Sequence, residues 1–315
     1  MPSALETRPE ENPWENVEAP TNGSNLVSKV HRESYEAISP TRPEISQAGN
    51  TVLVAGASTG IGFSIAESFA AASATCLIIT GRRKGALDKA ADKVKTKYPN
   101  VEVIPIINDF ADENATREFW KKLARDGIFV DVLVLSAAKM WLPNTILGLG
   151  YEPFKDGLGV NLIAPYLWTN LFYKQREIDP SRKLVLLNLS SIVIHDTKMS
   201  IPVPLYSTTK SAGTMMMQHI AMTVPSSEMQ VISFEPGLHY TESFERFTDE
   251  SSFKWDDKAV KLPGDFAVWA ASKEAEFLHG RFIWAKWDVD ELMNGPLRKK
   301  IEGNPSLFRV SVSGY

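Results

Sequence analysis

The sequence predicts an α/β protein, built as one doubly wound parallel sheet with helices on both faces. Three observations predict it. Short, continuous apolar runs rich in Val, Ile and Leu recur through residues 51–237. Amphipathic stretches of helical period separate them, and the first run ends in the glycine-rich AGASTGIG, Ala55–Gly62. Strands buried on both faces read as such runs, and parallel neighbours require a helical crossover between them.

The elements follow in order. TVLVAG opens the sheet and IGFSIAESFAAAS is its first helix; TCLIITG and KGALDKAADKVKTKYP repeat the pair. VEVIPIIND is then followed by ATREFWKKLARDG, and DVLVLSAA by NLIAPYLWTNLFYKQREI. KLVLLNLSS, the helix YSTTKSAGTMMMQHIAMTV and the strand QVISFEPG complete the alternation, with RFIWAKWDVDEL as a last strand running into a tail. Three segments are expected: a partly disordered N-terminal extension over 1–46, one folded body over 47–290 and a C-terminal tail over 291–315. The extension is Pro-, Glu- and Asn-rich; its part from Tyr35 to Ile45 is expected to lie against the body, with Trp14 and Tyr35 as anchors.

Composition narrows the function. A formal net charge of −4 argues against general nucleic-acid affinity, which needs clustered Lys and Arg. The single cysteine, Cys76, excludes an internal disulfide, a C-x-x-C motif and a Cys/His zinc cluster, and in ATCLIIT it reads as a small buried hydrophobe. No metal site is expected. The N-terminus lacks the apolar core of a secretory signal and no run of 18 apolar residues exists, so the expectation is a cytoplasmic protein without a membrane span.

In a parallel α/β sheet the turn after the first strand is the usual phosphate site. Gly56 permits the tight turn; Gly60 and Gly62 remove Cβ atoms where a pyrophosphate approaches backbone N–H groups and the helix packs on the strand. The spacing Gly-x-x-x-Gly-x-Gly is neither G-x-G-x-x-G nor a Walker A motif. Gly56-x-x-x-Gly60-Ile61-Gly62, Asn161, Ser191 and Tyr206-Ser-Thr-Thr-Lys210 together resemble the short-chain dehydrogenase/reductase family, over roughly residues 47–290. The resemblance implies a single Rossmann-type domain, a nicotinamide cofactor and the catalytic set Ser191, Tyr206, Lys210 and Asn161.

Tyr206 and Lys210, at i and i+4, share one helix face. A phenol titrates near ~10, and a neighbouring ammonium plus an oxidised nicotinamide are expected to bring that value down, so that Tyr206 passes a proton to a carbonyl or takes one from an alcohol. By resemblance Lys210 also holds the nicotinamide ribose, Ser191 bonds the same substrate oxygen, and Asn161 anchors a water that links Lys210 to a proton relay.

The second strand ends in Gly81 followed by Arg82, Arg83 and Lys84, where an NAD enzyme usually carries an acidic residue. Arg82 and Arg83 suit a 2′-phosphate, with Ser58 and Thr59 adding hydroxyls, so the cofactor expected is NADP(H). By resemblance Asp109 contacts the adenine with Phe110 beside it, a helix N-cap being the competing role for Asp109; Ala137 lines the cofactor groove, and Pro236, Gly237 and Thr241 cradle the carboxamide. Two departures stand out: Leu135-Ser136-Ala137-Ala138 replaces the family's Asn-Asn-Ala-Gly, and Ala55 replaces a threonine.

Three loops are expected to line the substrate cavity, with Trp141, Phe154, Tyr240, Phe244, Phe247 and Trp255 as aromatics and His195 and His239 as candidate polar contacts. A bulky, largely apolar carbonyl or alcohol is the implied substrate. Met215, Met216, Met217 and Met222 read as core or subunit contact, and the family's habit implies a homo-oligomer, dimer or tetramer. The two chain ends look like those of fungal members involved in secondary metabolism. The alternative is a nucleotide-binding scaffold, or a non-redox enzyme using NADP(H) structurally; Tyr206→Phe separates the two.

Overall fold

The computed structural model describes residues 26–141 and 145–311. Trp14 lies outside the described residues. Seven strands form one sheet: β1 (Thr51–Ala55), β2 (Cys76–Gly81), β3 (Glu102–Ile107), β4 (Val132–Leu135), β5 (Leu184–Leu189), β6 (Met229–Glu235) and β7 (Arg281–Trp284). Every pairing is parallel, in the order β3-β2-β1-β4-β5-β6-β7. The chain winds outward from β1 to one edge, returns, and winds from β4 to the other, so the sheet is doubly wound and Rossmann-type.

The two-residue period of the strands sorts the core. Val52, Val54, Leu77, Ile79, Val132 and Val134 face α1 (Gly60–Ala71) and α2 (Lys84–Lys97). Leu53, Ile78, Leu133 and Leu135 face α3 (Glu113–Arg125), whose Phe119 and Trp120 pack there with Trp168 and Phe172. Both faces being covered is why these strands read as unbroken apolar runs. Cys76 is buried in the same layer, and burial pushes its thiol up to about 11, which fits a packing role.

The remaining helices position the site. α4 (Tyr151–Leu158) passes through a π-helical turn (Gly159–Ile163) into α5 (Ala164–Lys174), and α6 (Thr197–Ser200) precedes α7 (Pro204–Thr223). After β6 come α8 (Glu242–Glu245), α9 (Lys261–Ala270), α10 (Val289–Asn294) and α11 (Pro296–Gly303). α9 has no counterpart in the sequence-based expectation. Leu262 to Ala270 are all buried, so no polar face marks a helical period there. α4 falls in a stretch read as loop, and α10 and α11 lie where a tail is expected; Leu292, Leu297 and Ile301 bury their side chains in the main core.

Residues 26–46 run along the same face, with Val27, Ile38 and Ile45 in the core. Tyr35 stacks on His31 with ring centroids 3.5 Å apart, donates to Trp287 O (3.0 Å) and accepts from Val289 N–H. Among the described residues no helix is long and apolar enough to cross a membrane.

Candidate functional site

The strand order reverses between β1 and β4, and a cavity of about 440 Å³ opens beyond their carboxyl ends. Its floor is the glycine loop. Gly56 has φ +86, and a Cβ there would lie 2.8 Å from the Ala137 backbone. A Cβ on Gly62 would lie 2.2 Å from Gly56 O and 2.9 Å from Ser136 Oγ. Gly56 and Gly62 are thus required by close approach of backbone to backbone, and the first turn of α1 is pressed directly onto the β1 end.

Ser58, Thr59, Gly60 and Ile61 continue the cavity wall, with Ala137 opposite. Arg82 and Arg83 enter from the end of β2, Asp109 and Phe110 from the end of β3. Arg83 is held by Glu242 at 2.5 Å; both side chains are about half exposed, so the pair adds little to stability. Asp109 accepts the Ala111 N–H, while the α3 N-cap is Asp112. The neighbouring Asn108 lines the cavity with its Oδ1 buried and without a hydrogen-bond partner among the described residues. A cradle that a Cβ would fill, a helix N-terminus, two guanidinium groups and an unsatisfied polar atom together fit a phosphorylated nucleotide.

The opposite end of the cavity holds Ser191, Tyr206 and Lys210. The Tyr206 hydroxyl faces the Ser191 side chain. Lys210 Nζ donates to Leu189 O (2.7 Å) and sits 5.6 Å from the Tyr206 ring centroid. The protein's own groups push the phenol up from its ordinary value, through desolvation first and the Glu235 carboxylate second, with the Ser191 hydroxyl opposing. Burial brings the Lys210 ammonium down to about 8. The fall in Tyr206 expected from the sequence is therefore not produced by these residues alone.

Asn161 does not line the cavity. It sits in the π-turn before α5, where Oδ1 accepts Lys139 N–H (2.9 Å) and Nδ2 donates to Lys139 O (2.8 Å) and Thr209 Oγ1 (3.0 Å). It is a strut between the β4 loop and the second turn of α7. Ser190 to Thr214 (2.6 Å) and Ser207 to Val193 O (2.7 Å) fix the same helix to the β5 loop.

Pro236, Gly237 and Thr241 form the third wall, and Thr241 lies against Gly60. His239 lines the cavity, but both ring nitrogens face backbone carbonyls, Asp257 O and Pro236 O, so the ring braces the Pro-Gly turn. Asp256 Oδ2 accepts the Leu238 N–H (2.9 Å), and its Oδ1 meets Arg32 and Lys286, each at 3.1 Å. Glu235 is also in this wall, a residue that the sequence reading passes over. A carboxylate closing the apolar strand QVISF was the available signal.

The sequence profile of the short chain dehydrogenase family matches residues 50–252. The chain is a short-chain dehydrogenase/reductase. It is 33% identical over 277 residues to the short chain dehydrogenase/reductase nsrO of Aspergillus novofumigatus, covering 86% of this chain and 91% of that one. It is 30% identical over 285 residues to the short chain dehydrogenase/reductase AacuD of Aspergillus aculeatus, covering 90% and 94%. Among solved structures, a gluconate 5-dehydrogenase from Burkholderia cenocepacia in complex with NADP and tartrate shares the fold at TM-score 0.68, 18% identity, and 79% and 96% coverage. L-sorbose reductase from Gluconobacter frateurii, complexed with NADPH and L-sorbose, does so at TM-score 0.67, 19% identity, and 76% and 96% coverage.

The substrate side of this short-chain dehydrogenase/reductase differs from the sequence-based expectation. Of the six aromatics, Phe244 and Phe247 line the cavity, alongside Met199, Val203, Val193 and Leu238. Trp141 and Phe154 instead pack with Leu149 and Leu205, and Tyr240 and Trp255 join Phe244 and Phe253 in a ring cluster. His195 turns away, into a separate groove against Phe282 and Trp284. A loop sequence carries no period to say which side chains turn inward. Among the described residues, no group of three or more His, Cys, Asp and Glu side chains is placed to hold a metal ion.

Proposed function

We propose that this short-chain dehydrogenase/reductase interconverts a ketone and a secondary alcohol with NADP(H), on a bulky and largely apolar metabolite. The observation that carries the reading is the meeting of the Ser191 and Tyr206 hydroxyls beside Lys210, in the same cavity as the glycine cradle.

The Ser191 and Tyr206 hydroxyls both hold the substrate oxygen. Bound nicotinamide supplies or accepts the hydride at the carbon. In reduction Tyr206 gives its proton to the oxygen, and in oxidation it takes one from the hydroxyl; the balance is one hydride and one proton per carbonyl. Lys210, fixed by Leu189 O, stabilises the phenolate that Tyr206 becomes. Asn161 keeps this helix turn at its distance from the β4 loop. Arg82 and Arg83 receive a 2′-phosphate by charge-assisted hydrogen bonds, with Arg83 released from Glu242. Met199, Val203 and Phe247 shape an apolar substrate end. Ile163 and Tyr166, at and within α5, and Met215 and Met222 on α7 are exposed apolar side chains, which supports a pairing of subunits through these helices.

The test is Tyr206→Phe. It is expected to lower turnover by about 10²–10⁴-fold while NADPH binding persists. Undiminished turnover in this variant overturns the reading and favours a non-redox use of the nucleotide. Titration with NADPH and NADH, on wild type and Arg82→Ala, tests the cofactor choice.

A further inference from the structure

Glu235 ends β6, next to Pro236 and Gly237, and lines the cavity with Tyr206 and Lys210 while being only 5% exposed. Its Oε1 accepts the Gly237 N–H at 2.9 Å. Its Oε2 is fully buried and has no hydrogen-bond partner among the described residues. A buried carboxyl oxygen without a donor is costly unless the group binds a proton or a ligand meets it. The protein surrounds it with titratable groups and charges of both signs: Tyr206 and Lys210 from α7, Lys286 after β7, Asp256 with Arg32 of the N-terminal arm upon it, and His239 in the adjoining turn.

Hydride and proton must reach two atoms of one C=O bond, so the nicotinamide belongs at the Tyr206 end of the cavity. Glu235 is at that end. Resting on the reading of this cavity as a nicotinamide-nucleotide site, we propose that Glu235 is a specificity-determining residue. It distinguishes the oxidised from the reduced cofactor by charge, its carboxylate favouring the cationic ring of NADP⁺ over the neutral ring of NADPH.

Burial lifts the Glu235 carboxyl to about 7, with Lys286 and the Gly237 N–H opposing and Asp256 adding to the rise. Its charge therefore changes across neutral pH. A cationic ring stabilises the carboxylate, so NADP⁺ binds more tightly as pH rises through that value. A neutral ring desolvates the carboxylate and gains nothing from it. The ratio Kd(NADPH)/Kd(NADP⁺) thus rises with pH, and bound NADP⁺ draws the equilibrium on the enzyme toward alcohol. Titration of the 2′-phosphate affects both nucleotides alike and cancels in the ratio. Lys210, brought down to about 8 by burial, contributes in wild type and variant equally.

The experiment is calorimetric binding of NADP⁺, NADPH and 2′-phospho-ADP-ribose at pH 6 and pH 8, to wild type and to Glu235→Gln. Gln keeps the acceptor for Gly237 N–H and loses the charge. In wild type the ratio is expected to rise about tenfold between the two pH values, the effect of about one pKa unit of coupling. In Glu235→Gln it is expected to rise about threefold or less, with 2′-phospho-ADP-ribose, which lacks the ring, binding both proteins alike. The same rise in both proteins overturns the proposal, as does an equal weakening of all three ligands in the variant. If 2′-phospho-ADP-ribose binds neither protein, the nucleotide reading falls and this inference with it.

Discussion

At the glycine-loop end of the cavity the floor is backbone. Gly56 meets Ala137, Gly62 meets the Gly56 carbonyl, and no side chain fits between them. At the substrate end the walls are side chains on loops: Met199 from a single turn of helix, Phe244 and Phe247 from the segment after β6, Val203 just before α7. Close backbone approach admits one residue type and so leaves a fixed spacing in the sequence. A loop wall can be rebuilt with many side chains, and its pattern carries no period. On the proposed reading, the first end holds the nucleotide and the second selects the substrate.

Variants at the two ends test this division, and the largest effect is expected at Tyr206 between them, the group proposed to handle the proton. Tyr206→Phe is expected to separate chemistry from binding, turnover falling by about 10²–10⁴-fold with the NADPH Kd unchanged in a fluorescence titration. At the glycine-loop end, Gly62→Val is expected to abolish measurable NADPH binding and to cost about 1–3 kcal/mol in urea denaturation, since its Cβ would overlap the Gly56 carbonyl. At the substrate end, Phe247→Leu is expected to leave NADPH binding intact and shift KM among ketones of different bulk by about tenfold. An equal loss of nucleotide affinity there would break the division.

Between the ends, Asn161→Ala removes the bonds to the Lys139 N–H and carbonyl and to the Thr209 hydroxyl, which keeps its own bond to Tyr206 O, at a cost of about 1–3 kcal/mol. Thermal melting checks it, and turnover should fall more than NADPH affinity because the strut acts on the helix carrying Tyr206. The smallest effect is in stability against pH. Glu235 is lifted from the ordinary 4.5 to about 7, so its contribution to folding is fully present below about 4.5 and is lost as pH rises through about 7. Tm should decline from pH 5 to pH 8 more in wild type than in Glu235→Gln, by calorimetry.

The strands and the helices α1, α2, α3, α5 and α7 are legible in the sequence because each buries either both faces or a single stripe. α9 escapes because it is buried all round. The glycine loop, Arg82, Arg83, Ser191, Tyr206 and Lys210 meet in one cavity, and their spacing is visible because helix and turn geometry fix it. His195 and Trp141 point elsewhere for reasons of tertiary packing that no local pattern encodes. Glu235 and the strut made by Asn161 are visible only once β6, α7 and the β4 loop are side by side.

Asp256, which fastens Leu238 in the wall beside the Pro-Gly turn, is gripped by Arg32 from one end of the chain and Lys286 from near the other. These partners are separated by more than 200 positions from Arg32 to Asp256, so the wall closes only after a very long loop has been closed. Secondary structure will therefore form well before the cavity becomes competent. In stopped-flow refolding the recovery of far-ultraviolet circular dichroism should precede the recovery of NADPH fluorescence enhancement, and Arg32→Ala should widen the interval.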